Sequence, residues 1–486
     1  MSSSARHDAL VAGAVVLCGV AAGWLLPGVD LGLGMPVLAV VIAATIYIAD
    51  RRDITRYDVL CGVLALLLTA VALLRAAEWL VALCLLAAMG LSVVAVTRVK
   101  VWRGVFAAPI AVIARFTRVP VLVVRPIAHV VAGRDMTRFG PVARGTAAAI
   151  FSVVLFGTLF ATADAAFARL AQDWLIPRWD LNLLPARVVT GVIVTFVVGA
   201  LILAKPRFAP EWLGAGASSW DSFITRAEPR EAKTRSVAEW AIPVIALDVL
   251  FASFVAIQIS VLFGGRDHVE VTDGLTYAEY ARQGFFQLLA VAALVLVVIA
   301  AVIALGRPRE GRDRTLMRWS LGALCGLTLV VLASALVRLQ LYEETFGFTR
   351  LRVSVHATIY WLAGIFVLVI VSGIRWRAGW LPRAVVAYTA VSLLAFAVVD
   401  PEALIARENV RRFDETGRID VGYLSTLSAD PVPHLLELPT DERNCVLFLS
   451  GDPVPEPQPW NGFNLARLRA RDALKDVVVP EDGSYC

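Results

Sequence analysis

The feature that most constrains the fold of this chain is a series of eleven apolar runs. A hydrocarbon core about 30 Å thick is crossed by about 20 helical residues. Because lipid offers no partner to backbone N–H and C=O groups, a run of this length folds as an α-helix. The predicted spans are residues 9–26, 31–49, 57–74, 79–97, 143–163, 186–204, 239–263, 283–305, 318–340, 353–374 and 382–399.

The composition agrees with a chain that lies mostly in lipid. Of its 486 residues, 58% are hydrophobic and 17% are charged, whereas about 25% of the residues of a soluble domain are charged. The predicted fold class is therefore all-α. It is a polytopic helical membrane bundle of about 11 transmembrane helices, with a small, mainly helical extracytoplasmic domain at the carboxyl end.

The basic residues predict the orientation of the bundle. With the amino terminus inside, and with basic residues near the ends of spans counted in the adjoining segment, 27 of the 45 Lys and Arg residues fall in cytoplasmic segments and 9 in extracytoplasmic loops. Membrane proteins retain Lys and Arg on the cytoplasmic side. We therefore expect a bacterial inner-membrane protein with a cytoplasmic amino terminus and an extracytoplasmic carboxyl terminus. The same rule explains the net charge of +5, so no nucleic-acid partner is expected.

The spans and loops suggest four domains. Residues 1–98 form a four-span module, 99–142 a basic segment, 143–399 a seven-span core and 400–486 an extracytoplasmic tail. The first run could be mistaken for a signal peptide. It has 18 residues, more than the 7–15 typical of a signal-peptide core, and a second span follows, so we interpret it as an anchor.

The basic segment 99–142 is too interrupted to span comfortably. One interpretation is a helix or elbow in the cytoplasmic interface, with its arginines toward anionic lipids. The alternative is a loop that merely covers the bundle. The interrupting residues are Pro109, Pro120, Pro126, Arg115, Arg118 and Arg125.

The tail is rich in charge and proline. Asp400 before Pro401, and Asp430 before Pro431, are typical of a helix N-cap followed by proline in the first turn. Residues 464–475 predict a further helix. Because the tail lies outside, an envelope protein is its expected partner.

Polar residues recur every fourth position near the extracytoplasmic ends of spans eight to ten. Residues at that spacing share a helix face, and charged side chains in hydrocarbon cost about 2.5–3.5 kcal/mol, so they face a bundle interior or cavity. The pattern predicts an outward-facing polar vestibule, with Ser334 in one stripe and Asp248 deeper, near mid-membrane. Its candidate residues are Asp248, Gln258, Tyr277, Glu279, Gln283, Gln287, Arg338, Tyr342, Glu343, Arg350, Arg352, His356 and Tyr360.

Three functions are compatible with such a vestibule. The charges could form a salt-bridged lid that ties helix ends together, in a structural, sensing or assembly protein. They could line a pathway for a small solute or ion, with Asp248 as the deep proton or cation group. They could also belong to a membrane-embedded transferase acting on a lipid-linked substrate, with Glu279 or His356 as general base.

The cysteines suggest one covalent link. By the predicted topology, Cys445 and Cys486 are the two cysteines outside the membrane, in an oxidising compartment. We predict a disulfide between them, and the alternative is that the terminal Cys486 stays free. Neither CxxC pairs nor His/Cys metal spacing occurs, so no metal site is predicted. The remaining cysteines, interpreted as packing residues, are Cys18, Cys61, Cys84 and Cys325.

Small residues four apart favour close helix packing. Two such pairs occur, Gly19 with Gly23 and Gly322 with Gly326. We interpret them mainly as packing sites and only secondarily as a dimer contact. The sequence does not specify an oligomeric state.

Several phrases resemble a bacterial membrane-protein family catalogued as domain of unknown function 4173, with its relative 4153. The resemblance extends over residues 140–470 and implies a polytopic inner-membrane protein, without an activity or catalytic residue. No nucleotide-binding or hydrolase motif occurs in the sequence, and no cofactor is predicted. The phrases are LFGTLFATADAAFARL (155–170), LDVLFASFVAIQISVLFGG (247–265), GLTYAEYARQGFFQLL (274–289), RLQLYEETFGFTRLR (338–352) and, in the tail, NVRRFDETGRIDVGYLSTLSADPVPHLLELP (409–439).

Overall fold

The computed structural model describes residues 3–49, 54–99, 102–124, 183–204, 237–263, 285–306, 311–375, 379–451, 454–478 and 486. Over these residues the chain is helical, without β-strands. The chain divides into two compact units. The N-terminal unit comprises Met1–Ala227 and Val454–Asp476, and the C-terminal unit comprises Glu228–Pro453 and Val477–Cys486. The four predicted domain boundaries remain predictions.

In the N-terminal unit, long apolar helices lie side by side. Helix α1 packs along α2 and α6, and α3 packs along α4. A 3₁₀ turn at Phe116–Arg118 follows α5 and also contacts α6. The described helices are α1 Ser3–Leu25, α2 Gly34–Ala49, α3 Arg56–Leu74, α4 Glu78–Thr97, α5 Trp102–Ile113 and α6 Leu184–Leu203.

Glycine permits the close approach of α1 and α6. A Cβ atom added at Gly19 would collide with Thr195 Oγ1 and lie 2.5 Å from the Gly191 carbonyl oxygen. At Gly23 it would lie 2.5 Å from the carbonyl oxygen of Arg187. This pair therefore packs one helix on another within the chain. At Gly322 and Gly326 an added Cβ meets no described heavy atom within 4 Å, so close packing at this second pair stays a prediction.

In the C-terminal unit, helix α9 is central and packs against α7, α8 and α10, while α11 packs on α10. Its apolar core is formed by residues from α7 to α10, among them Phe251, Leu324, Leu339 and Phe366. These helices are α7 Val237–Phe263, α8 Phe285–Gly306, α9 Arg312–Phe346, α10 Arg350–Arg375 and α11 Leu381–Val399.

The tail is helical, as predicted. Asp400 adopts a left-handed conformation (φ 60°), and its side chain accepts a hydrogen bond from the Ala403 N–H at 3.3 Å, which caps α12. Asn464 caps the final helix in the same way. The tail helices are α12 Pro401–Thr416, α13 Val421–Leu424, α14 Val432–Leu435, α15 Thr440–Leu449 and, in the N-terminal unit, α16 Leu465–Leu474, preceded by a 3₁₀ turn at Trp460–Gly462.

One predicted cap is wrong. Pro431 occupies the N-cap position of α14 and makes no side-chain cap bond. The Asp430 carboxylate instead accepts a hydrogen bond from the Ser428 hydroxyl at 2.9 Å. This nearby hydroxyl offers Asp430 Oδ2 a donor outside the helix.

The all-helical membrane bundle is confirmed. Ten of the eleven predicted spans coincide with described helices, and the eleventh, 143–163, lies outside the described residues. Nine described helical stretches are long and apolar enough to cross a membrane, and Gly34–Ala49 and Gln287–Ile303 are shorter apolar helices. The nine include Gly104–Val124, part of the predicted interfacial segment, whose remainder at 125–142 lies outside the described residues. Its placement in the interface stays a prediction.

The α1–α6 contact gives a testable prediction. Gly19→Leu should destabilise the protein by about 1–3 kcal/mol, because the new side chain has no space against α6. Thermal unfolding of the full chain in detergent measures the change. The matched control is Gly13→Leu on the same helix, where an added Cβ meets no described heavy atom within 4 Å. Equal midpoints for the two variants would contradict the packing argument.

Candidate functional site

The first part of the predicted vestibule is a polar contact between α7 and α9. Gln258 Oε1 accepts one hydrogen bond from Ser334 Oγ at 3.1 Å and another from Arg338 Nη2 at 2.8 Å. Gln258 and Ser334 are buried. Since Ser334 and Arg338 are one helical turn apart, both reach the same amide oxygen. The contact joins two helices through groups that would be costly to leave unpaired in lipid.

The second part is a carboxylate–imidazole pair between α9 and α10. Glu343 is 2% exposed, and its Oε2 lies 2.7 Å from His356 Nε2. Its other oxygen, Oε1, is buried and makes no hydrogen bond to a described residue. The His356 ring stacks on Tyr360 at a centroid distance of 6.4 Å. The site thus holds a buried carboxylate beside an imidazole ring, and the described residues satisfy one of the two carboxylate oxygens.

Arg352 binds the carbonyl groups at the carboxyl end of α9. Its Nη1 donates to the carbonyl oxygens of Phe346, at 3.0 Å, and Gly347. Its guanidinium lies 4.4 Å from the centre of the Tyr342 ring. A helix end leaves carbonyl groups unpaired and carries partial negative charge, so a cation there is stabilising. Gly347 supplies the positive φ, 77°, with which the helix ends.

Arg350 points toward the tail. Its Nε donates to Glu402 Oε1 at 2.6 Å, and its Nη2 donates to the Thr426 carbonyl oxygen at 2.8 Å. Glu402 is fully buried, and its second oxygen accepts the Ser428 N–H at 2.7 Å. A buried carboxylate is stable only when it is paired and hydrogen-bonded. Both oxygens of Glu402 meet that condition.

Three further tail residues bind the end of α9, the connection that follows it and the start of α10. Asn409 pairs with the backbone of Phe348, accepting from its N–H at 3.1 Å and donating to its carbonyl oxygen at 2.9 Å. Arg412 donates to the Glu344 and Thr345 carbonyl oxygens at 3.2 and 2.6 Å. The Tyr423 hydroxyl accepts the Arg350 N–H at 2.6 Å. Burial raises the pKa of Tyr423, so its hydroxyl stays protonated at neutral pH.

The remaining candidates lie apart from these contacts. Asp248 is on α7, about 15 Å along the helix from Gln258, and its buried Oδ1 makes no hydrogen bond to a described residue. Gln287 is exposed in the first turn of α8. Tyr277, Glu279 and Gln283 lie outside the described residues.

Sequence reasoning missed the tail's share of the site. Glu402, Asn409, Arg412 and Tyr423 were not among the candidates, although Asn409, Arg412 and Tyr423 lie in the segment 409–439 that resembles a known family. The available signal for Glu402 was an acidic residue directly after the Asp400–Pro401 cap. A carboxylate in the first turn also suits a helix start, so this signal alone did not point to Arg350.

The tail also contains a disulfide. The sulfur atoms of Cys445 and Cys486 are bonded at 2.08 Å, across a sequence separation of 41 residues. Both cysteines belong to the C-terminal unit. The other four cysteines are buried and in no disulfide.

Long apolar helices joined by buried polar contacts define an integral membrane protein. A family model covers residues 62–438, and the chain belongs to that family, described as a domain of unknown function (DUF4153). The resemblance found in the sequence is thus confirmed for a family of unknown function, whereas the family first named, 4173, is not confirmed. The chain matches no curated protein and no solved structure.

The Glu343–His356 pair can be tested by a double-mutant cycle. Glu343→Gln and His356→Gln should each destabilise the protein, and the double variant should lose less than their sum. We expect a coupling of about 0.5–3 kcal/mol, measured by thermal unfolding. The matched control is Glu344→Gln, an exposed neighbour, which should combine additively with His356→Gln. Additivity in both cycles would contradict a bond between the two side chains.

Proposed function

We propose that this protein is an envelope sensing or assembly protein whose tail recognises a partner and transmits its state to helices α9 and α10. The observation that carries the proposal is the fully buried Glu402, bound to Arg350 at the start of α10. Truncating one partner of a buried ion pair is strongly destabilising. A tail attached through the Glu402–Arg350 pair moves together with the start of α10.

The neighbouring contacts support the same function. Asn409 and Arg412 bind the backbone of residues 344–348, so tail side chains satisfy the end of α9 as well as the start of α10. The Glu343–His356 pair lies on these same two helices. A shift of the tail would therefore act on the buried Glu343–His356 contact between α9 and α10. Signalling requires an element of this kind, one that can adopt two states.

The polar groups resemble contacts that hold helices together more than the lining of an open transport pathway. Gln258 serves two donors on α9, and Arg352 and Arg350 bind carbonyl oxygens and a carboxylate. Groups that bind a passing solute need free donors or acceptors facing a cavity. This comparison favours the salt-bridged interpretation of the vestibule.

Transport of a small solute or ion is the second candidate. It is favoured by two buried carboxylate oxygens, Asp248 Oδ1 and Glu343 Oε1, that make no hydrogen bond to a described residue. Carboxylates inside membrane helices commonly mark proton or cation routes. Under this alternative, Asp248→Asn would abolish a measurable ion or solute flux in proteoliposomes.

We also propose that the tail is extracytoplasmic. In the C-terminal unit it contacts the loop between α9 and α10, which the basic-residue count assigns to the outside. In the N-terminal unit, Asn461 donates to the Leu25 carbonyl oxygen at 2.9 Å, and Asn464 donates to those of Ala72 and Arg75 at 2.8 and 2.7 Å. These carbonyls belong to the ends of α1 and α3, which the same count also assigns to the outside.

The topology is tested with a reporter that fluoresces only in the cytoplasm. Fused after Cys486, it should stay dark, because an extracytoplasmic tail carries it out of the cell interior. The control is the same reporter fused after Arg375, at the end of α10, where it should fluoresce. Bright fluorescence from the Cys486 fusion would contradict the proposed orientation.

The attachment of the tail is tested with Glu402→Gln. Because Arg350 is 36% exposed, we expect a loss at the low end for such pairs, about 3 kcal/mol. Backbone hydrogen exchange should quicken at Phe348, Arg350 and Ser428, whose N–H groups bind the tail or Glu402. The matched control is Glu415→Gln on the same helix, whose 3.7 Å pair with Arg411 is exposed. Unchanged exchange at Phe348 and Arg350 in Glu402→Gln would contradict the coupling.

The sensing role itself is tested by photo-cross-linking in cells. A photoreactive residue at Leu449, which is exposed on tail helix α15, should give a discrete adduct, and Glu402→Gln should reduce it. The same residue at Leu316, exposed near the start of α9, is the control. Absence of an adduct, together with a flux abolished by Asp248→Asn, would replace sensing by transport.

A further inference from the structure

The N-terminal unit contains an apolar groove that the proposed function does not use. The groove has a volume of about 530 Å³ and is bounded by α2, α3, α4 and α6. This volume lies within the range of small-molecule sites, about 300–1,000 Å³. Its walls are mainly aliphatic, and they include Leu38, Ile42, Leu66, Leu85 and Val197. A site of this composition suits a hydrocarbon chain.

One end of the groove is charged. Asp58, in the first turn of α3, and Arg98, at the carboxyl end of α4, both line it, with Arg98 Nε 3.9 Å from Asp58 Oδ2. That carboxylate oxygen also accepts the Thr55 N–H at 2.9 Å. Both residues lie at helix ends. In a helix that crosses a bilayer, the ends lie at the level of the lipid headgroups. The groove therefore runs from a charged boundary into an apolar interior.

Among the residues whose side chains the structure describes at this end, the net charge is positive. Arg56 and Arg98 are basic and Asp58 is acidic, at the start of α3 and the carboxyl end of α4. A headgroup that carries net negative charge is attracted there, by about 1 kcal/mol for each nearby basic residue. A neutral headgroup gains no such attraction.

From these observations we propose that the groove binds one acyl chain of an anionic phospholipid, with the lipid phosphate at Arg98. A single hydrocarbon chain is narrow and meets apolar walls along the length of the groove.

The proposal is tested by filling the groove. Gly62 lines it, and a Cβ added there meets no described heavy atom within 4 Å. Gly62→Leu therefore occupies the groove without a collision at the backbone. The matched control is Gly90→Leu on α4, which also has open space but does not line the groove.

The measurement is native mass spectrometry of the full chain in detergent, titrated with phosphatidylglycerol. We expect one tightly bound lipid in the unmodified protein and in Gly90→Leu, and at least a tenfold weaker first binding step in Gly62→Leu. Ala43→Phe, which fills the groove from α2, should reproduce the loss if Gly62→Leu does not fold. Equal binding by the groove-filled and control variants would overturn the proposal.

The headgroup is tested separately. Arg98 has a positive φ of 52°, so Arg98→Asn removes the charge with a residue that tolerates this conformation. We expect about fivefold weaker binding of phosphatidylglycerol, the effect of one basic residue, with no change for Arg75→Asn at the opposite end of α3. Phosphatidylethanolamine with the same chains should bind more weakly, and glycerol phosphate, which lacks chains, should not bind. Equal binding of both lipids, or a dimer that Gly62→Leu abolishes, would overturn the assignment.

Discussion

The absence of water inside a bilayer is the constraint on which the rest of this structure depends. A backbone or side-chain polar group that lacks a partner in hydrocarbon costs several kcal/mol, so each must be satisfied within the protein. The helices satisfy their own backbone. Hydroxyl groups are satisfied in the same way, as Thr97 Oγ1 donates to the Val93 carbonyl oxygen at 2.7 Å and Thr328 Oγ1 to that of Leu324 at 2.7 Å. These bonds place hydroxyls on apolar helices at little energetic cost.

Larger polar side chains cannot be satisfied by their own helix turn, and they determine which elements are joined. Gln258 accepts two hydrogen bonds from α9, and Glu402 binds the guanidinium at the start of α10. Each therefore joins elements far apart in sequence. Within the C-terminal unit, these polar groups join the tail to the helices, and an apolar core packs the helices together.

The N-terminal unit uses a different kind of contact. Helices α1 and α6 approach through glycine rather than through hydrogen-bonded side chains. The same unit leaves apolar volume between α2, α3, α4 and α6. Such volume is unlike the close packing of protein interiors. In a membrane, however, lipid chains are available to fill it. The proposed sensing function thus concerns the C-terminal unit, which is joined by buried polar contacts. The proposed lipid site concerns the N-terminal unit, with its glycine-mediated packing and apolar groove.

The sequence by itself determined the helical bundle and most helix ends. The predicted runs 57–74 and 382–399 correspond to the helices Arg56–Leu74 and Leu381–Val399. Length and apolarity are local properties of a sequence, and they decide whether a segment can cross a bilayer. Local capping residues, Asp400 and Asn464, also set their helix starts. Only tertiary structure decided the partners of polar residues. Arg350 binds Glu402, 52 positions away, and Arg338 binds Gln258, 80 positions away. A four-residue spacing identifies the face of a helix, but not what packs on it, since the partner depends on how distant segments of the chain come together.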